Sequence, residues 1–69
     1  MDMKYVIILL LSTTGLEEIK LKTKGLNCGE IANSWREVNT VYKSEIDGNA
    51  KLQGNYTKEG KLFIGHICE

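Results

Sequence analysis

The chain opens on an unbroken apolar run, Tyr5 to Leu11, with neither a helical period nor the alternation of a half-buried strand. Further on, Ile19, Leu21 and Thr23 alternate with Lys20, Lys22 and Lys24. A strand there, ending near Gly25, puts an apolar row on one face and three ammonium groups on the other. The period then changes. Cys28, Ile31, Ala32, Trp35, Val38 and Tyr42 recur at helical spacing, with Glu30, Asn33, Arg36, Glu37 and Asn39 between them, and predict a helix over 28–42. Asn27 is a good N-cap, able to accept from the Glu30 amide while the Glu30 carboxylate reaches back in a variant of the capping box. Leu26 and Ile31 take the two positions of a hydrophobic staple. Trp35, at mid-stripe, reads as the central core residue rather than a platform for a ligand.

Asp47-Gly48 marks a turn after the helix. Residues 50–57 and 61–68 flank Lys58-Glu59-Gly60, which fits a three-residue hairpin loop with Gly60 left-handed and Thr57 opposite Lys61. That register puts Leu52, Tyr56, Leu62, Ile64 and His66 on one face, expected to meet the helix, and Lys51, Gln53, Asn55, Phe63 and Ile67 on the other. Phe63 and Ile67 are then contact residues for a partner, unless the N-terminal segment covers them or a bulge at Gly65 turns Ile67 inward. The elements predict an α+β domain over 16–69, one amphipathic helix on a small three-stranded antiparallel or mixed sheet in the order β-α-β-β, with a fourth strand if the N-terminus is retained.

The fate of residues 1–15 decides between those sheets. One basic residue (Lys4, offset by Asp2), an apolar middle and then Ser12, Thr13, Thr14 and Gly15 stand in the order of a secretory signal, with cleavage expected after Gly15. The run is too short to span a membrane, which takes about 20 apolar residues. The alternative is a buried strand: Tyr5, Val6, Ile7 and Ile8 favour extended backbone, and Thr14-Gly15 turns the chain. The first reading exports the protein to the periplasm or beyond; the second leaves it in the cytoplasm as a structural or regulatory protein.

Charge and composition then narrow the partners. Nine Lys plus Arg balance nine Asp plus Glu, so no overall field draws the chain to nucleic acid, and the expected partner is another protein. The row Lys20, Lys22 and Lys24 reads as protection of an exposed strand edge, with phosphate binding as the alternative. Sixty-nine residues allow one small core, of a size that often needs a covalent staple. Cys28 and Cys68 are expected to supply it, closing a loop of about 41 residues that restricts the unfolded chain by roughly 4 kcal/mol.

Three other uses of the side chains are open. Cys28 at a helix N-terminus and His66 could act as nucleophile and base, although no third orienting group is evident. Cys28, His66 and Cys68 could hold zinc, since the last two share a strand face, although paired Cys-x-x-Cys spacing is missing. Asn55-Tyr56-Thr57 matches a glycosylation acceptor. Glu17 and Glu18 are adjacent and diverge on a strand, so they form no acid–base pair. The expectation is a small exported, disulfide-stapled binding protein, an inhibitor or accessory factor, with no catalytic activity and no cofactor. Its candidate surface is Phe63, Ile67, Tyr56, Lys20, Lys22 and Lys24. A cysteine-dependent redox or zinc protein is the remaining alternative.

Overall fold

A computed structural model describes residues 4–69; residues 1–3, the start of the expected signal, lie outside the described residues. The apolar run forms β1 (Tyr5–Ser12), and the chain turns at Thr13-Thr14 into β2 (Gly15–Lys22). The Ser12 hydroxyl holds this turn, donating to the Gly15 carbonyl at 3.0 Å and accepting from the Thr14 amide at 3.3 Å. Helix α1 (Cys28–Asn39) leads directly into β3 (Thr40–Lys43), and a hairpin of β4 (Gly54–Thr57) and β5 (Leu62–Cys68) ends the chain.

The α+β class is as expected, but the sheet is not. It has five strands, all paired antiparallel, in the order β2-β1-β5-β4-β3, rather than three or four in the order β-α-β-β. The apolar run accounts for much of the difference. β1 is an inner strand between β2 and β5, and its inward residues Val6, Ile8 and Leu10, with Ala32 of α1, are the buried hydrophobic core. Ile19, Leu21, Cys28, Ile31, Trp35 and Phe63 pack around them. The helix carries the chain from the β2 edge to the β3 edge and covers one face of the sheet on the way.

The helix starts where expected, the Asn27 side chain accepting from the Gly29 and Glu30 amides at 2.9 and 3.2 Å. It stops three residues short of Tyr42. Thr40 is already extended, its hydroxyl and amide both donate to the Arg36 carbonyl, and β-branched Thr40 and Val41 continue as strand. Val38 consequently lies on the flank of the helix, 83% exposed, because ten residues at about 100° each carry it roughly 80° from Cys28.

The strand expected over 50–57 is shorter too. Asp47 and Gly48 both have positive φ, 52° and 78°, in a tight turn closed by an Ile46–Asn49 bridge. The Asn49 side chain then accepts from the Lys51 amide at 2.9 Å and starts a 3-10 turn at Ala50–Leu52. Beyond it the hairpin follows the expected register: the Thr57 amide donates to the Lys61 carbonyl at 2.9 Å, and Gly60 has φ 86°.

The expected faces of Tyr56, Leu62 and Phe63 are inverted. Leu9 pairs with Gly65 but Leu10 pairs with Phe63, so Ile64 is an extra, bulged residue. His66 stays on the helix side and Ile67 on the open side, as the simple alternation requires, but before the bulge the parity flips. Phe63 therefore turns inward and stacks on Trp35, ring centroids 6.3 Å apart, while Leu62 and Tyr56 face away from the helix.

Truncating Leu10 to Ala should lower unfolding free energy by about 2–5 kcal/mol, read by denaturant titration. Val41→Ala, on an exposed edge residue, should change it by less than about 0.5 kcal/mol. A chain beginning at Leu16 should show no cooperative transition, because it lacks β1.

Candidate functional site

Two features on different parts of the molecule carry candidate chemistry. The first is the cystine. The N-cap places Cys28 as the first residue of α1, and β5 ends at Cys68, opposite Val6 on the helix side of the sheet. The two cysteines are joined in a disulfide with Cα atoms 5.9 Å apart, inside the ordinary range for such bridges. His66, two residues before Cys68 on the same strand face, lies beside them, and its ring nitrogen and both sulfurs fall within 4.8 Å of one another. The cysteines are half-buried and the imidazole is exposed. The expected staple and the expected three-residue cluster are thus the same place.

The second feature is the sheet face that the helix does not cover. Reading across the ladder, Leu16 of β2, Leu11 of β1, Leu62 of β5, Tyr56 of β4 and Val41 of β3 stand side by side in one row through all five strands. Gly54 makes room for this row: a Cβ there would lie 2.6 Å from the Leu62 side chain. Ile64, in the bulge, is 49% exposed, and further along the open face Ile67 is 48% exposed and pairs with Ile7. Large aliphatic side chains in open contact with water over several adjacent strands are unusual for a small monomer.

The expected surface residues divide between the two faces. Ile67 and Tyr56 belong to the uncovered face, and so do Lys20 and Lys22, opposite Ile7 and Tyr5. Lys20 is engaged there, its ammonium 4.4 Å from the centre of the Tyr5 ring and 3.1 Å from a Glu69 carboxylate oxygen. Lys43 sits 5.9 Å from the Tyr56 ring. Lys24 lies beyond the end of β2, in a turn with φ 52°, and does not continue the lysine row. Phe63 is on the helix side, against Trp35, and takes no part in the open face. Leu11, Leu16 and Val41 join that face without having been singled out from the sequence. They become visible only when the strands of residues 5–12 and 40–43 are known, since cross-strand neighbours are set by register.

Glu17 and Glu18 diverge as a strand requires. Glu17 turns to the helix side, where its carboxylate accepts from the Lys61 ammonium at 2.9 Å, and Glu18 turns away. The Lys61 hydrogen bond, helped by one from Ser12, holds the Glu17 carboxyl below its ordinary value of 4.5, and the same contact raises Lys61 above 10.5. Apolar Leu21, Leu26, Ile31, Trp35 and Val38 line a shallow groove along the helix flank. Among the described residues no helix is long and apolar enough to cross a membrane.

No protein-family model, curated protein or solved structure matches the chain, so its function has to be argued from these two features.

Replacing both cysteines by alanine should cost about 4 kcal/mol of stability in the chain-entropy account, seen as a lowered denaturation midpoint at an unchanged starting spectrum. The Glu17–Lys61 pair has a pH signature. Its carboxylate contribution is present above pH 4.5 and is lost as the pH falls below that value, and its lysine contribution is lost as the pH rises past 10.5. Glu17→Gln should therefore flatten the acid limb of stability against pH, by less than the effect of Leu10→Ala, in thermal melts run across that limb.

Proposed function

We propose that the chain is a non-enzymatic binding protein that keeps residues 5–12 as a core strand, is locked by Cys28–Cys68, and docks a protein partner on the open face of its sheet. The observation that carries this reading is the row Leu16, Leu11, Leu62, Tyr56 and Val41, apolar and in register across all five strands. Sheets pack on other layers through such rows, at about 10 Å separation, and one face of this sheet already does so against α1. Lys22 and Lys43 flank the open face and favour a partner with acidic groups around an apolar strip.

Removal of residues 1–15 as a signal fits poorly beside this fold, because cleavage after Gly15 takes away Val6, Ile8 and Leu10 together. The disulfide supports work in an oxidising compartment, where such bonds persist, as an inhibitor or accessory factor. A structural or regulatory role in the cytoplasm is the second reading, favoured by the retained strand. Catalysis by Cys28 and His66 has less support, since the sulfur that would attack is bonded to Cys68.

Intact mass of the protein from its native source, with alkylation before and after reduction, tests the first half. Retention of residues 5–12 with both thiols protected until reduction is expected; free thiols would move the protein to the cytoplasmic reading. A photo-crosslinking side chain at Leu16 should give one discrete protein adduct, whereas the same group at Glu37, on the exposed side of α1, should give none. Val41→Asp should abolish the adduct without altering the fold. Equal labelling from both positions would overturn the docking face, and an adduct at twice the chain mass would make the partner a second copy.

A further inference from the structure

The cystine and its neighbouring imidazole have a second chemical state. We propose that Cys28, His66 and Cys68 form a zinc site in the reduced chain, so that a metal ion can close the same loop that the disulfide closes in the oxidised chain.

The three groups come from distant parts of the sequence, 40 residues separating Cys28 in the first turn of α1 from Cys68 on the same strand as His66. Their ligand atoms already lie within 4.8 Å of one another. Donor atoms around a tetrahedral zinc stand roughly 3.3–3.8 Å apart, given bonds of about 2.0 Å to nitrogen and 2.3 Å to sulfur. Separating the two sulfurs to that spacing and drawing in the imidazole takes side-chain rotation, because the cysteine Cα atoms are 5.9 Å apart and His66 is exposed and unconfined by a cavity. Two thiolates and an imidazole are a donor set zinc favours, and the exposed side of the cluster leaves the fourth position to water. The helix start adds a positive end of backbone dipole at Cys28, which favours its thiolate. His66 and Cys68, two residues apart on β5, share a face by the ordinary alternation of a strand, and their pairing with Ile8 and Val6 places that face on the side of Cys28.

The conversion balances. A dithiol reductant gives two electrons and two protons to the Sγ–Sγ bond and is itself oxidised to a disulfide, leaving two thiols. A zinc ion then binds both sulfurs with release of their two protons, and accepts the lone pair of the neutral His66 imidazole. The oxidised chain has no thiolate to offer, so disulfide and metal exclude each other. This inference is independent of the docking face proposed above, which contains none of the three residues.

The test uses the full chain, reduced and kept free of oxygen, titrated with Co2+ as a spectroscopic probe and then with Zn2+ as competitor. One equivalent of Co2+ should give a thiolate charge-transfer band with the visible bands of tetrahedral coordination, Zn2+ should bleach both, and the oxidised chain should show neither. His66→Ala should weaken Co2+ binding by roughly ten-fold or more. The same substitution should leave the melting temperature of the oxidised protein unchanged, because the side chain is exposed. No thiolate band in the reduced chain, or equal affinity in His66→Ala, would overturn the proposal. If reduction alone unfolds the chain, circular dichroism decides: recovery of the folded spectrum with one equivalent of zinc supports the site, and failure to recover overturns it.

Discussion

A single helix has to serve a sheet of five strands. At twelve residues α1 is about 18 Å long, close to the distance across five strands spaced about 4.8 Å apart, so it shelters one face and has nothing left for the other. Every feature with a functional reading follows from that one-sided cover. The buried residues concentrate on the inward row of β1, directly beneath the helix, and the outward row of the same strand is left facing water. The core that results is narrow, and a domain with a narrow core gains disproportionately from a covalent tie between its helix and its sheet.

The tie sits where it is most effective. Cys28 fixes the start of the helix to the end of β5, while at the other end of the helix the chain passes without a loop into β3. Both ends of α1 are thereby attached to the sheet. Glu69 adds backbone hydrogen bonds to Lys4 and Tyr5, which extend the β1–β5 ladder beyond the bridge. Lys20, gripping Glu69 over the Tyr5 ring, secures the same corner from the open face.

Local signals were legible in the sequence where local chemistry decides the backbone. The Asn27 cap and the Gly60 hairpin loop stand as expected because each depends on a few residues and a few hydrogen bonds. Tyr5 to Leu11 reads as an export signal and as an inner strand alike, since an unbroken apolar run carries no trace of the two strands, β2 and β5, that flank it in the sheet. The helical period overruns the helix because Tyr42 falls on the same period as Trp35, although β-branched Thr40 and Val41 stand immediately before it. Phe63 was misplaced by a single inserted residue, Ile64, whose effect on parity no alternation pattern could reveal. Cys28 and Cys68 form the bridge expected of them because two cysteines admit one intramolecular pairing, and His66 joins them because it lies two residues before Cys68 on the same strand face.

The pairing of β1 with β5 also sets an order of events during synthesis. Val6 is opposite Cys68, and the inner strand is incomplete until residue 68 has been joined to the growing chain. Until then β1 and β2 can form only a hairpin with one apolar edge unpaired, and two-stranded ribbons of this kind are at best marginally stable in water. Folding therefore waits for β5, and until residue 68 has emerged the nascent chain presents Tyr5 to Leu11 as an uncommitted apolar segment, the state in which targeting factors and chaperones encounter it.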